Sequence, residues 1–573
     1  MKIKHYFGLA VIAAMTASCS SNEDLGTAGP GTGTNEAGVG YATFSINLPT
    51  TSGTRADANP EFKPGDANEY KVNDATLLLF KKDATGKYQF KESVDLGNME
   101  PWTSSSTSGI TTTAKLTAKI NNAEVGSNKG YYALIILNNN SKTAAKIKEP
   151  TGDQTYADWS KNENNATTAY LKYDNGFFMA NAPKYVAGAP ETLVEIKNIY
   201  ASKQEAENST ATTVYVERGL AKISLASTSS EHVNISGGNY DGDKVDITGW
   251  TLDVTNTKTY PVHVTDGLWA DTWKKTATTA ATNGATMDRF HDTKLTEFPR
   301  VYWGLDPNYS TKLTDVEACK GEFKMATTAD FKKDEDAKKP QYCLENTFDI
   351  DHMVQGQTTR VLFSATYTPN GFNAGDTFYK MGNSSQLWNA TKVEAQIKAK
   401  AQEVLIEADP SKDPSKVSVT LAAPENDLTK AGVHLVAAAN VQYNSVNIED
   451  AEALKINEKL GFKKATPTDA AVGLSTFESG VSYYIARVKH FGDALTPWNP
   501  GDKTYDKNNA NWLGRYGVLR NNWYELTVKS VSGPGYPDIP KVNPTDPDDV
   551  NDQYINVEVK ILDWAKRSQD VNL

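Results

Sequence analysis

Cysteine is nearly missing from this sequence: Cys19, Cys319 and Cys343 are the only three in 573 residues. A scaffold held by a network of disulfides is excluded. Histidine is sparse too, and His232, His263, His291, His352, His434 and His490 follow no metal-ligand spacing. HExxH, glycine-rich phosphate loops, GxSxG and CxxC are all absent, so no motif for zinc hydrolysis, phosphoryl transfer or acyl transfer is on offer. Neither a metal nor a cofactor is expected. No apolar run approaches the ~20 residues a membrane-spanning helix needs. Positive charge is in deficit, 59 Lys plus Arg against 70 Asp plus Glu, for a net −11. That is the wrong sign for a phosphate backbone, and nucleic acid is not an expected partner.

What is present is a globular composition, 39% hydrophobic with 27 Tyr and 11 Trp, in a chain too long for one ordinary core. Abundant Thr, Val and aromatic residues favour pleated, half-buried surfaces, so the expected fold is mainly β with more than one domain. The N-terminus has Lys2 and Lys4, an apolar run from Phe7 to Met15, and then Thr16-Ala17-Ser18 before Cys19. Residues 1–18 read as a secretory signal peptide with a lipoprotein-type ending, which makes Cys19 the candidate lipidation site. The alternative is an ordinary cleaved signal followed by an incidental cysteine. From Cys19 to about Gly40 the chain is Gly, Thr, Asn and Ser, a tether without core-forming side chains.

Tyr41–Thr50 alternates, with Phe44, Ile46 and Leu48 on one face and Thr43, Ser45 and Asn47 on the other, and predicts a half-buried strand. A polar loop follows with an isolated Arg55 before Ala56, open to a trypsin-like protease, although most loop arginines serve only solubility. Further strands are predicted at Ala75–Lys81, Tyr131–Leu137, Val214–Leu225, Val245–Val254, Thr359–Tyr367, Val417–Leu421, Val481–Val488 and Trp523–Val531. Helices look few and inserted: Val393, Ile397, Ala401, Val404 and Ala408 recur at helical spacing, as do Ala453, Ile456 and Leu460 before a C-capping Gly461. A polar stretch puts a domain boundary near residues 205–215.

Asn239, Asp241 and Asp243 begin like a calcium loop, but Lys244 stands where glycine is required, and the segment reads as a turn. The repeated Asp-Pro-Ser-Lys at Asp409 and Asp413 reads as an exposed loop. Cys319 and Cys343, 24 residues apart, are a candidate disulfide in an exported chain, which spacing alone leaves open. Near the C-terminus, Gly533–Pro540 and Asn543–Asp549 form a Pro- and Asp-rich linker expected not to pack. Tyr554–Trp564 then alternates, with Ile555, Val557, Val559 and Ile561 on one face. Such a strand must bury that face in its own domain or in another molecule.

Several segments together resemble the type V fimbrilin family of Bacteroidota, in particular its short-fimbria (Mfa-type) major shaft subunits. They are Ala17-Ser18-Cys19-Ser20, Thr54-Arg55-Ala56, Val214–Lys222 with Glu217-Arg218-Gly219, Gly249–Asn256, Tyr516–Tyr524 with Arg520-Asn521-Asn522, and Val557–Trp564. The resemblance implies two transthyretin-like β-sandwich domains, at 56–210 and 211–540, after a lipidated propeptide at 19–55 and before a linker and donor strand at 541–573. It implies acylation at Cys19 (palmitate), outer-membrane residence before processing, and cleavage by an Arg-specific protease between Arg55 and Ala56. Cleavage would remove the strand bearing Phe44, Ile46 and Leu48. A neighbour's strand, bearing Ile555, Val557, Val559 and Ile561, would fill the groove. Implied partners are identical subunits head to tail, accessory tip and anchor proteins, and surface receptors, in a fimbrium serving adhesion and biofilm formation. The alternatives are an accessory tip or anchor subunit and a lipid-anchored glycan-binding protein, although Trp102, Trp159, Trp250, Trp269, Trp273, Trp303 and Trp388 show no repeated spacing.

Overall fold

The computed structural model describes residues 38–49, 67–69, 71–97, 103–104, 110–139, 146–162, 164–165, 168–171, 176–226, 229–265, 290, 299–309, 313–348, 352–466, 470–491, 496, 513–548 and 555–562. The expected signal peptide, Cys19, Arg55, Ala56 and the tail after Leu562 lie outside them. The architecture is mainly β, with several sheets and inserted helices.

The N-terminal half contains β1 (Gly40–Pro49), β2 (Ala75–Lys82), β3 (Tyr88–Gly97), β4 (Ile110–Ile120), β5 (Gly126–Leu137), β6 (Met179–Asn181), β7 (Val194–Ile199) and β8 (Thr212–Arg218). Their order is β3-β2-β5-β6-β8-β1-β4, with β7 also paired to β5. The Leu-Leu-Leu-Phe run of β2 is buried on both sides. Leu77 and Leu79 join Phe44 and Ile46 in one cluster, while Leu78 and Phe80 join Trp159 and Phe178 in another. Continuous apolarity rather than alternation is what a strand covered on both faces requires. Two short capped helices lie at the rim, α1 (Tyr156–Ser160) behind Thr155 and α2 (Lys203–Glu207) behind Ser202.

The single strand expected at Val214–Leu225 is two. Arg218 ends β8, and β9 (Leu220–Leu225) begins in a different sheet. Between them Gly219 passes so close to Tyr170 that a Cβ would sit 2.3 Å from its hydroxyl oxygen, so only glycine fits the crossing. The chain thus changes sheet just beyond the expected boundary.

The C-terminal half adds β10 (Lys244–Asp253), β11 (Gln341–Leu344), β12 (Arg360–Thr368), β13 (Val481–Arg487), β14 (Trp523–Val531) and β15 (Ile555–Leu562), with α3 (Val316–Glu322) between β10 and β11. One sheet runs β11-β9-β14-β15, and the other runs from His232–Asn234 through β10 and β12 to β13. They share a core that includes Ile223, Trp250, Phe363, Tyr484, Leu526 and Val557. Between β12 and β13 the chain builds a unit around α4 (Ala390–Ala408) and α5 (Asp450–Leu460), with its own core of Val393, Ile397, Ala401, Leu421, Val441 and Ile456. Asn389 caps α4 at the Lys392 amide, and Gly461 closes α5 at φ +74°.

The Pro- and Asp-rich segment expected to hang free is packed against the C-terminal body. Tyr536 exchanges backbone hydrogen bonds with Tyr483, Arg360 donates to the Pro540 carbonyl, and the buried Asp548 accepts from Thr358. Gly535, at φ +64°, lets this strap approach so closely that a Cβ would lie 2.4 Å from the Tyr483 carbonyl oxygen. Proline-rich chain cannot form a ladder, but its carbonyls can be used by side chains such as Arg360, which periodicity does not reveal.

The candidate disulfide, left open by spacing, is not formed here: Cys319 and Cys343 are free thiols. Cys343 packs in the two-sheet core, and Cys319 lies in a separate cluster with Phe323 and Phe348. Burial pushes the Cys343 thiol up to about 12 and the Cys319 thiol up to about 11. Asp243, from the turn that begins like a calcium loop, is buried and accepts from the Tyr367 hydroxyl and the Asn370 amide. Among the described residues no group of three or more His, Cys, Asp or Glu could hold a metal ion.

Candidate functional site

β1 is not half-buried but central. It pairs antiparallel with β4 from Gly40↔Ile120 to Leu48↔Thr112, and parallel with β8 from Phe44↔Thr212 to Asn47↔Tyr215. Ala42, Phe44, Ile46 and Leu48 are at most 1% exposed. The opposite face, read from sequence as the solvent side, is largely covered as well, with Thr43 at 3% and Asn47 at 4% exposure and Ser45 half-buried. It holds a small polar ladder: the Thr43 and Thr117 hydroxyls are 2.8 Å apart, and the Thr113 hydroxyl donates to Asn47 Oδ1 at 2.6 Å. Short polar side chains satisfied by cross-strand neighbours can be buried at little cost, so a polar face need not be a wet one.

β15 is placed differently. Among the described residues it pairs antiparallel with β14 alone, from Trp523↔Leu562 to Val531↔Ile555, and forms the edge of its sheet. Val557 is 9% exposed and Ile555 half-buried, both against the two-sheet core. Val559 and Ile561 stand opposite Leu526 and Tyr524 in the register. Lys529 and Glu558 form an ion pair across the two strands. The terminal strand therefore folds back on its own domain.

Between these strands lies a buried ionic junction. Glu69 receives Lys222 at 2.7 Å and the Tyr342 hydroxyl at 2.6 Å, while its backbone carbonyl takes Arg218 Nε at 2.8 Å. Arg218 Nη1 donates to Asn521 Oδ1 at 2.9 Å, and the Asn521 backbone N–H donates to the Leu220 carbonyl. Burial pulls the Arg218 guanidinium down to about 10 against the opposing field of Glu69. Next to it, Glu217 pairs with Arg300 at 2.9 Å and lies 3.2 Å from His263 Nδ1, and Arg520 pairs with Glu345 at 3.0 Å. Burial works to raise Glu217, but the hydrogen bond with His263 and the charge of Arg300 outweigh it and hold the carboxyl low. A buried charge persists only when paired and hydrogen-bonded, and removing one partner strands the other, so such a cluster fixes one mutual geometry of its elements.

The sequence singles out the Glu217-Arg218-Gly219 and Arg520-Asn521-Asn522 segments, and the fold brings them into contact. Glu69, His263, Arg300 and Glu345 were not singled out as a group, because ion partners 46 to 175 residues away leave no local pattern. Trp159, Trp250 and Trp303 are fully buried core residues rather than a surface platform.

Residues 475–570 match a family model described as "Major fimbrial subunit protein type IV, Fimbrillin, C-terminal". The match takes in β13, β14 and β15. No curated protein matches the chain. Among solved structures, a putative cell adhesion protein from Parabacteroides distasonis is 10% identical with a TM-score of 0.38, over 92% of this chain and 98% of that one. A putative cell adhesion protein from Bacteroides eggerthii is 12% identical with a TM-score of 0.33, over 94% and 100%. A fimbrial assembly protein from Parabacteroides distasonis is 10% identical with a TM-score of 0.24, over 38% and 64%. Likenesses with TM-scores this low carry no argument about fold or role. The strand-rich C-terminal region is thus similar to the C-terminal region of major fimbrial subunits.

Proposed function

We propose that this chain is a structural subunit of cell-surface fimbriae, assembled by replacing one strand with another. In this reading the two halves are transthyretin-like β-sandwiches. The precursor is a lipoprotein acylated at Cys19 and held at the outer membrane. An Arg-specific protease cuts between Arg55 and Ala56 and so frees β1. The observation that carries the reading is the place of β1: it is bonded on both edges, with Phe44, Ile46 and Leu48 wholly buried. Its loss would leave β4 and β8 with unpaired edges around an apolar slot, a surface that demands another strand. Burying three such side chains is worth roughly 5–9 kcal/mol before entropic costs. The alternating strand that carries Ile555, Val557, Val559 and Ile561 is the proposed filler, supplied by an identical subunit. Head-to-tail exchange does not close on itself and yields a filament, capped by tip and anchor proteins. Acidic shafts repel laterally, which leaves the strand joint as the favoured contact. Adhesion and biofilm formation follow from such a filament, through receptors on host or bacterial surfaces.

One observation favours a second reading within the same family. β15 is already seated on β14, as suits a tip or anchor subunit whose tail stays at home. The deciding experiment is mass spectrometry of the N-terminus in surface-sheared material, run beside Arg55→Ala and a deletion of residues 554–573. For a shaft subunit, the mature chain starts at Ala56 within a high-mass ladder, Arg55→Ala leaves lipidated monomer, and the deletion gives cleaved monomer. Normal polymer from the deletion strain rules out strand replacement by this tail.

A further inference from the structure

The ladder of the N-terminal half divides along β5. β6 pairs with it at Ile136 and Leu137, whereas β7 pairs with it between Gly126 and Ala133. The buried side chain of Asn181 bridges the division, accepting from the Ile135 amide at 2.8 Å and donating to the carbonyls of Ala133 and Thr192. β8 pairs with β6 and with β1, whereas β7 pairs with β5 and lies off that path. A cavity of about 940 Å³ opens there, walled by both strands, the β2–β3 hairpin and α1.

Four half-buried tyrosines, Tyr88, Tyr132, Tyr156 and Tyr200, line it. Tyr88 and Tyr132 meet edge to face with ring centroids 4.8 Å apart, and Lys82 Nζ lies 5.5 Å from the Tyr88 centroid. Burial, with Tyr88 alongside, raises the Tyr132 phenol, which stays a protonated donor at neutral pH. The remaining walls hold hydroxyls, an amide and charges of both signs, among them Thr192, Thr212, Asn198, Lys197 and Glu195.

We propose that this cavity is an oligosaccharide-binding site. Aromatic rings offer flat apolar faces to the C–H faces of pyranose rings, while hydroxyl, amide and charged groups of both signs meet sugar hydroxyls without demanding a net charge. The volume lies within the ~300–1,000 Å³ of small-molecule sites. A nucleic acid or sulfated polyanion would face a chain of net charge −11. An extended peptide would need apolar sockets at alternate positions, and the walls are predominantly phenolic and polar. β1 contributes only Thr43 to the lining, so sugar binding and strand exchange can fail independently.

The test is binding of the full-length chain to an array of defined oligosaccharides, followed by calorimetric titration with the best-retained one. Binding is expected, weakened about tenfold or more by Tyr88→Ala through the lost ring face. Lys82→Ala and Glu195→Ala, both at exposed positions where folding is preserved, are expected to weaken it severalfold. The proposal is overturned if no sugar is retained, if peptides are retained instead, or if affinity is unchanged in both exposed-position variants.

Discussion

The first and last strands carry the same alternation and are held in opposite ways. β1 is bonded along both edges and buried over most of both faces, while β15 is bonded along one edge and lies at the rim of its sheet. Period-two patterning states that a strand has an apolar face, whereas the number of bonded edges decides what it costs to take the strand away. β1 is the strand whose absence the fold tolerates least. β15 is the one that can leave with its sheet still standing on β9, β11 and β14.

The most severe way to test that contrast is to remove each strand. A chain lacking residues 38–49, kept from polymerising, forfeits roughly 5–9 kcal/mol of side-chain burial, comparable to the ~5–15 kcal/mol that holds a whole domain. Calorimetry should show the N-terminal transition lost or displaced far downward with the C-terminal one retained, and a peptide spanning residues 554–564 should restore it. Removing residues 555–562 should lower only the C-terminal transition, by a few degrees. Equal losses from the two deletions would erase the distinction. At single-residue scale, Ile46→Ala should cost about 2–5 kcal/mol in urea unfolding, and Val557→Ala on the rim strand less than half of that.

A subtler separation of the halves comes from pH. Lys146, in the N-terminal half, donates to the Gly176 carbonyl at 2.5 Å, and burial pulls its ammonium from 10.5 down to about 8. Between those values the unfolded chain holds the proton and the folded one does not, so stability of this half should rise as pH climbs from about 8 toward 10.5. Urea midpoints at pH 7.5 and 10 should show the rise in the wild type and lose it in Lys146→Met, with the C-terminal transition indifferent to the substitution. The smallest effect concerns the thiols. With Cys343 raised to about 12 and Cys319 to about 11, iodoacetamide at pH 8 should label neither in the native protein. Both should be labelled in non-reducing denaturant.

Where side chains alternate or recur along a stretch of chain, the sequence was legible. Trp523–Val531 is a strand over the span expected, and the helix at Ala390–Ala408 buries Val393, Ile397, Ala401 and Val404, four of the positions that recur at helical spacing. What depends on a distant partner was not. β4, Ile110–Ile120, has no strand signal in the sequence because three consecutive threonines and two lysines dilute its apolar members, although it is one of the two neighbours that enclose β1. Thr43 and Asn47 looked like solvent-facing residues because nothing local reveals that Thr117 and Thr113 would receive them. The break at Gly219 was hidden inside an unbroken apolar run, since the reason for it is the hydroxyl of Tyr170, brought there by tertiary packing. The candidate strands could be found from pattern, whereas the junction that couples them could not.

That break has a mechanical meaning. Thr212–Leu225 is one covalent stretch whose first part borders β1 and whose second part pairs in parallel with β14, the seat of β15. A pull delivered where β1 sits therefore has a direct backbone route to the sheet that carries β15. Along that route the buried Arg218 and Lys222, both bonded to Glu69, act as rivets on either side of the glycine. Tension would load hydrogen-bond ladders in shear, many bonds at once, before it could open either core.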